Sequence, residues 1–185
     1  MNSSPIPSQR LRSILAVLEF PGVFIAKLAS WLIVPLTIAL VYEVTSRYIF
    51  NKPTIWAYDM TYMLSSAVFM LGTAYALKKG HHVRVDFLLA MIKPRWQALM
   101  DTILYLVLYF PAMGLFFTIS FRFAKQSWMQ GELYPQSPWM PPIYPLKAVI
   151  PLTIFLLLLQ GAAELIKALW VVRHNIPFKT DEIEP

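Results

Sequence analysis

The ionisable residues of this chain gather at a few positions whose spacing could support chemistry. Lys78, Lys79, His81, His82, Arg84 and Asp86 crowd into "KKGHHVRVD", directly after an apolar segment. Glu43 and Arg47 stand four apart, and so do Gln160 and Glu164, with Lys167 three further on. Asp59 stands between Tyr58 and Met60. Histidines beside a carboxylate could ligate a metal, and ionisable groups inside apolar segments could relay a proton or pair a substrate charge. Metal ligation fits poorly, because adjacent His81 and His82 point to different faces of any helix. None of the three histidines, His174 included, sits in the middle of an apolar stretch, as paired haem ligation across two helices requires. There is no cysteine, HExxH, nucleophile elbow or Gly-rich phosphate loop. A proton relay needs several aligned ionisable groups, and too few are present. No residue is therefore assigned to catalysis, to a cofactor or to a metal, and the chain is not read as an enzyme.

The segments that must carry these residues are unusually apolar. Of 185 residues, 57% are hydrophobic and only 14% charged, against about 25% charged in an average soluble domain. Four long apolar stretches run from about Phe24 to Tyr48, Ile55 to Leu77, Trp96 to Phe121 and Pro145 to Val172. Each reaches the ~20 residues a helix needs to cross ~30 Å of hydrocarbon. The spacing predicts an all-α polytopic membrane protein, one domain over 1–185, with four transmembrane helices and short amphipathic surface helices. Net charge is +6, but the cations lie between apolar blocks rather than in one patch, so nucleic acid is not expected as a partner.

Loop charges orient the spans. The N-terminal segment, the second loop and the C-terminal segment carry three, five and three Lys/Arg, whereas the other two loops carry two and three. Both termini are expected in the cytoplasm. The first span is longer than a secretory h-region and no small-residue cleavage site follows it, so it reads as an uncleaved anchor. Before it, Leu11, Ile14, Leu15 and Leu18 recur at helical spacing, with Arg10, Arg12, Ser13 and Glu19 largely elsewhere. This predicts a surface helix broken by Pro21-Gly22. A second surface helix is expected around Phe87, Leu88, Met91 and Ile92. The loop "WMQGELYPQSPWMPPIYPLK" is too rich in proline for regular helix and too apolar for a solvated linker. It is expected against the outer membrane face, with Trp128, Tyr134, Trp139 and Tyr144 at headgroup level.

The polar side chains within spans have local as well as functional readings. Glu43 and Arg47 could form a pair on one helix face or meet a partner or lipid. Asp59 follows the candidate N-cap Thr54 and suits a helix start, where the dipole favours a carboxylate. Gln160 is expected to hydrogen-bond another helix, and Lys167 to neutralise Glu164. Ser65, Gly72 and Ala76 share one face of the second span and would let another helix approach closely. Pro111 should remove a bond to the Val107 carbonyl and bend the third span.

Two stretches, "EVTSRYIFNKPTIWAYDMTYML" and "GTAYALKKGHHVRVDFL", resemble the small membrane (Q, DctQ-like) subunit of tripartite ATP-independent periplasmic (TRAP) transporters. The resemblance rests on Arg47, Tyr48, Phe50, Pro53, Trp56 and Asp59, where Glu is common in the family. It continues through Gly72, Ala74, His82, Val83, Val85 and Asp86, and loosely through "LQGAAELIKAL". It implies a bacterial inner-membrane subunit that scaffolds a large M subunit carrying the transport path and its sodium sites. A periplasmic binding protein would deliver an organic acid to the pair. It also implies an interface of Glu43, Arg47, Tyr48, Trp56, Asp59, Ser65, Gly72, Ala76 and Gln160 with M, phospholipid or the binding protein. His82, Arg84 and Asp86 would form a structural latch at the inner end of the second span. The competing expectations are a haem-free anchor of a respiratory enzyme and a small stand-alone channel or exchanger.

Overall fold

The computed structural model describes residues 8–79 and 94–175. Its helices are α1 (Gln9–Ser30), α2 (Ile33–Tyr48), α3 (Ala57–Lys78), α4 (Pro94–Leu104), α5 (Phe110–Gln130) and α6 (Tyr144–His174), with a π turn at Tyr105–Tyr109 joining α4 to α5. Among the described residues, four helical segments are long and apolar enough to span a bilayer: Gln9–Tyr48, Ala57–Lys78, Arg95–Gln130 and Tyr144–His174. Among the described residues no strand forms; a single bridge pairs Leu133 with Pro142. The all-α, four-span reading holds.

Local chemistry sets the helix ends. The Ser8 hydroxyl accepts the Leu11 N–H at 3.4 Å and opens α1. Asn51, Gly131 and Asn175 follow α2, α5 and α6 at φ of 54°, 57° and 56°. Glycine and asparagine adopt this left-handed conformation most readily, and it turns the next N–H groups back onto orphan carbonyls. After α2 the Lys52 N–H reaches the Ser46 carbonyl at 3.0 Å, and after α5 the Glu132 N–H reaches Ser127 at 3.1 Å.

Pro21 acts differently from expectation. Pro21 does not break the chain: α1 runs through it to Ser30. Lipid-embedded helices tolerate an internal proline where neighbouring segments pack around it. The break comes instead at Trp31–Leu32, ahead of Pro35. Proline at 35 cannot donate to the Trp31 carbonyl, which accepts the Val34 N–H at 3.2 Å in a tightened turn. The expected disturbance before Pro111 is present as the π turn, in which the Phe110 N–H reaches back to the Tyr105 carbonyl. α5 continues through Trp128 to Gln130, so the proline-rich loop is shorter than its sequence suggests.

The contacts divide the chain into two compact units. Of the described residues, the first comprises 8–23, 74–79, 94–115 and 156–175; the second comprises Phe24–Thr73 and Phe116–Phe155. Both cores are built largely from small residues. Ala74, Ala98 and Ala163 are buried in the first, and Ala39, Ala57, Ala67 and Ala124 in the second. Small side chains let helix backbones approach closely where apolar burial alone gives no drive, as in lipid. In the most apolar window of α6, 44% of residues are buried, against 11%, 6% and 6% in the other three spans. Those three leave most of their sides to lipid or to another protein.

Candidate functional site

In the first unit α1 presents Leu15, Glu19 and Gly22 on one buried stripe. Spacings of four and three residues put them on one face. Gly22 sits against Ala74 of α3, close enough that a Cβ there would lie 3.6 Å from the Ala74 Cβ. Glu19, expected on the polar face, is 3% exposed. Its carboxylate meets Lys78 Nζ of α3 at 3.2 Å and Lys167 Nζ of α6 at 2.6 Å. Lys167 also pairs with Glu164 at 2.9 Å, as its spacing predicts. Glu164 in turn accepts a hydrogen bond from Gln160 Nε2 at 3.1 Å. Gln160 is 1% exposed, yet its partner lies on its own helix rather than on another. Two cations and two carboxylates balance within the cluster, which is the condition for burying charge at all.

The same unit holds a steric lock. Tyr109, at the end of the π turn, donates its hydroxyl to the Leu157 carbonyl at 2.7 Å. Its ring lies over Gly161, where a Cβ would sit 2.3 Å from Cε1. Only glycine leaves this space.

In the second unit Glu43 is held on both oxygens. Oε1 accepts Arg47 Nε at 2.8 Å and is also bonded by Nη2. Oε2 accepts the Thr54 N–H at 3.1 Å and the Thr54 hydroxyl. Thr54 Oγ1 lies 3.4 Å from the Ala57 N–H and so links this pair to the start of α3. The Arg47 side chain keeps half its surface exposed. Trp56 stacks on Tyr42, with centroids 5.7 Å apart, and Tyr48 is exposed. Asp59 occupies the first turn of α3, as expected, but is 6% exposed and bound by the Ser137 hydroxyl. Ser137 Oγ also accepts the Trp139 N–H at 3.1 Å.

The loop between α5 and α6 is thereby fastened to its own chain. Tyr134 N–H reaches the Pro141 carbonyl at 2.9 Å, and Ile143 N–H reaches Glu132 at 3.1 Å. Lys147 meets Glu132 at 2.5 Å and lies 4.2 Å from the Phe123 ring centre. Lys147, by its hydrogen bond, holds the Glu132 carboxyl below the usual carboxylate range. Trp128 and Tyr144 meet edge to face at 4.7 Å.

Ser65, Gly72 and Ala76 are half-buried on α3, and a Cβ on Gly72 would meet nothing within 4 Å. The opposite side of α3 carries the buried Ala67, Ala74 and Leu77. His82, Arg84 and Asp86 lie outside the described residues, as does the surface helix expected around Phe87 to Ile92. Among the described residues, no three His, Cys, Asp or Glu side chains gather as metal ligands would.

Sequence reasoning missed Glu19 and Ser137 as partners. Glu19 carried one available signal: it falls four residues after Leu15 and three before Gly22, a stripe that helix periodicity can reveal. Ser137 sits among prolines, where no periodicity exists to align it with Asp59.

Comparison with known proteins adds family and relative. Residues 36–170 match the family described as "Tripartite ATP-independent periplasmic transporters, DctQ component". A stretch of 90 residues is 33% identical to the "Sialic acid TRAP transporter permease protein SiaT" of Haemophilus influenzae (strain 86-028NP). That match covers 46% of this chain and 15% of the relative. No solved structure matches the chain.

Proposed function

The chain belongs to the DctQ family of tripartite ATP-independent periplasmic transporter components, and from this premise we propose that it scaffolds the larger transport subunit of such a system. It is a multi-pass membrane protein and one component of a transporter rather than an enzyme. In this reading the large M subunit carries the substrate path and the sodium sites, and a periplasmic binding protein delivers an organic acid. The chain sits in the bacterial inner membrane with both termini in the cytoplasm, as its loop charges favour.

The observation that carries the proposal is the open face of α3. Ser65, Gly72 and Ala76 form a small-residue seam with free space in front of Gly72, flanked by exposed Tyr62 and Phe69. The chain's own packing uses the other side of the helix. A seam of this kind suits close approach by a helix of another protein. Among the described residues, the largely buried Glu19, Lys78, Glu164 and Lys167 meanwhile pair with one another rather than facing an open path.

Gly72→Leu tests this directly. Leucine is a good helix former and its Cβ would meet nothing within 4 Å among the described residues, so the melting temperature of the isolated chain is expected not to fall. Co-purification of the M subunit is expected to fall at least several-fold. Undiminished co-purification would remove the seam from the interface, and uptake by liposomes holding this chain alone would overturn the scaffold reading. The latch of His82, Arg84 and Asp86 belongs to the same proposal. Asp86→Ala is expected to lower the yield of assembled complex more than it changes substrate affinity.

A further inference from the structure

A cleft of about 440 Å³ opens in the second unit, lined by Tyr42, Thr45, Ser46, Phe50 and Lys52. Its volume lies within the range of small-ligand pockets. We propose that this cleft binds the phosphate of an anionic membrane phospholipid, with Lys52 as its cation and the Tyr42 and Thr45 hydroxyls as donors. The inference goes beyond the scaffold reading and does not depend on it.

Three observations converge on that occupant. First, Lys52 has no carboxylate within ion-pairing distance among the described residues, unlike Arg47, which spends its charge on Glu43. Glu43, on the same helix end, is itself engaged by Arg47 and Thr54 and so does not compete for Lys52. Second, the end of α2 repels an anion less than a bare helix C-terminus would. Its carbonyls at Thr45 and Ser46 are taken by the N–H groups of Ile49 at 2.9 Å and Lys52 at 3.0 Å. The Ser46 hydroxyl donates to the Lys52 carbonyl at 2.5 Å and so fixes the backbone that carries the cation.

Third, the cleft lies where one span ends at Tyr48 and the next begins at Ala57, the depth of a bilayer's headgroups. Around it Tyr48, Ile49, Phe50 and Ile55 are each more than 60% exposed. These side chains offer apolar surface for acyl chains next to a cation and hydroxyls. A free phosphate ion would gain nothing from that surface, whereas a phospholipid uses both.

Native mass spectrometry of the full chain in detergent, titrated with phosphatidylglycerol and with phosphatidylcholine of the same acyl chains, tests the assignment. Phosphatidylglycerol is expected to bind roughly five-fold more tightly, the scale of one basic side chain at a membrane surface. Lys52→Gln is expected to erase that preference, and Lys52→Arg to keep it. Lys125→Gln, which removes an exposed cation of α5 outside the cleft, is expected to keep it too. Folding is not at stake in these variants, because Lys52 caps α2 through its backbone. Preference retained by Lys52→Gln overturns the proposal, and so does loss of the preference in Lys125→Gln. Displacement of the lipid by millimolar inorganic phosphate also overturns it, since the occupant would then be a free anion. Lipid lost whenever the M subunit co-purifies would assign the cleft to a protein contact instead.

Discussion

In the first unit Glu19 is held by cations from two other helices, Lys78 on α3 and Lys167 on α6, and all three side chains are largely buried. In the second unit each carboxylate is held close to a helix end: Glu43 by Arg47 and Thr54, Asp59 by Ser137, Glu132 by Lys147. The first arrangement is closed, with every charge answered by another in an apolar surrounding. The second is a series of separate pins that fasten connecting segments to the spans. The contrast teaches where this chain depends on electrostatics for its fold and where it uses polar bonds only to place a loop. A closed buried network fails when one member is lost, because the remainder becomes an uncompensated charge.

Glu19→Ala is therefore expected to have the largest effect. It takes the carboxylate from Lys78 and leaves Lys167 only its pair with Glu164, at a cost of about 3–5 kcal/mol. Loss of helicity on titration with a denaturing detergent measures it. The double variant Glu19→Leu, Lys78→Met restores the charge balance and should recover much of the loss, as a double-mutant cycle would show. A cost for Glu19→Ala below about 1 kcal/mol, the level of an exposed pair, would erase the distinction between the units.

Asp59→Ala should come next, at about 1–3 kcal/mol. It removes a buried acceptor but strands no cation, and Ser137 still accepts from Trp139. The expected signature is local: proteolysis within the Gly131 to Ile143 loop accelerates more than global unfolding does. Gly161→Ala, back in the first unit, is expected to cost about 1 kcal/mol. The added methyl drives Tyr109 off the Leu157 carbonyl, and a gain in helix propensity offsets part of that loss. The same substitution at Gly22 should stabilise by up to about 1 kcal/mol, because its Cβ would make ordinary contact with Ala74 and the helix-propensity gain is not offset.

The two units also differ in how far the sequence disclosed them. Four spans were legible because apolar length in lipid admits few alternatives. The Glu43–Arg47 and Glu164–Lys167 pairs were legible because helical spacing alone brings them together. Glu19 was placed on the polar face for its chemistry, whereas its position on the Leu15–Gly22 stripe decided its burial. Its partners come from distant segments, and no local pattern encodes that pairing. Pro21 misled for a related reason. Proline's cost in a helix is local, but whether the helix absorbs it depends on what packs around it. Gln160 is expected to bond another helix and is indeed buried, yet Glu164 one turn away on its own helix accepts its Nε2–H, and burial alone does not name a partner.

The smallest expected effect separates a pin from a network by its response to pH. Lys147 holds Glu132 below its ordinary value of 4.5, so the native state binds this proton less readily than the unfolded chain does. The sign follows from linkage. Glu132's contribution is complete above the ordinary carboxylate range. It is lost as pH falls from about that range through the lower, folded-state value. Thermal unfolding of wild type and Glu132→Gln, compared between roughly pH 6 and pH 3, should show the two curves converging as the medium becomes acid. Over a third of the Glu132 side chain is exposed. Salt should therefore shrink the difference at neutral pH, as it does for solvent-facing pairs. The Glu19 effect, measured beside it, should change little with salt. If both respond alike, the two units use their charges in the same way, and the contrast between a closed network and separate pins does not describe this chain.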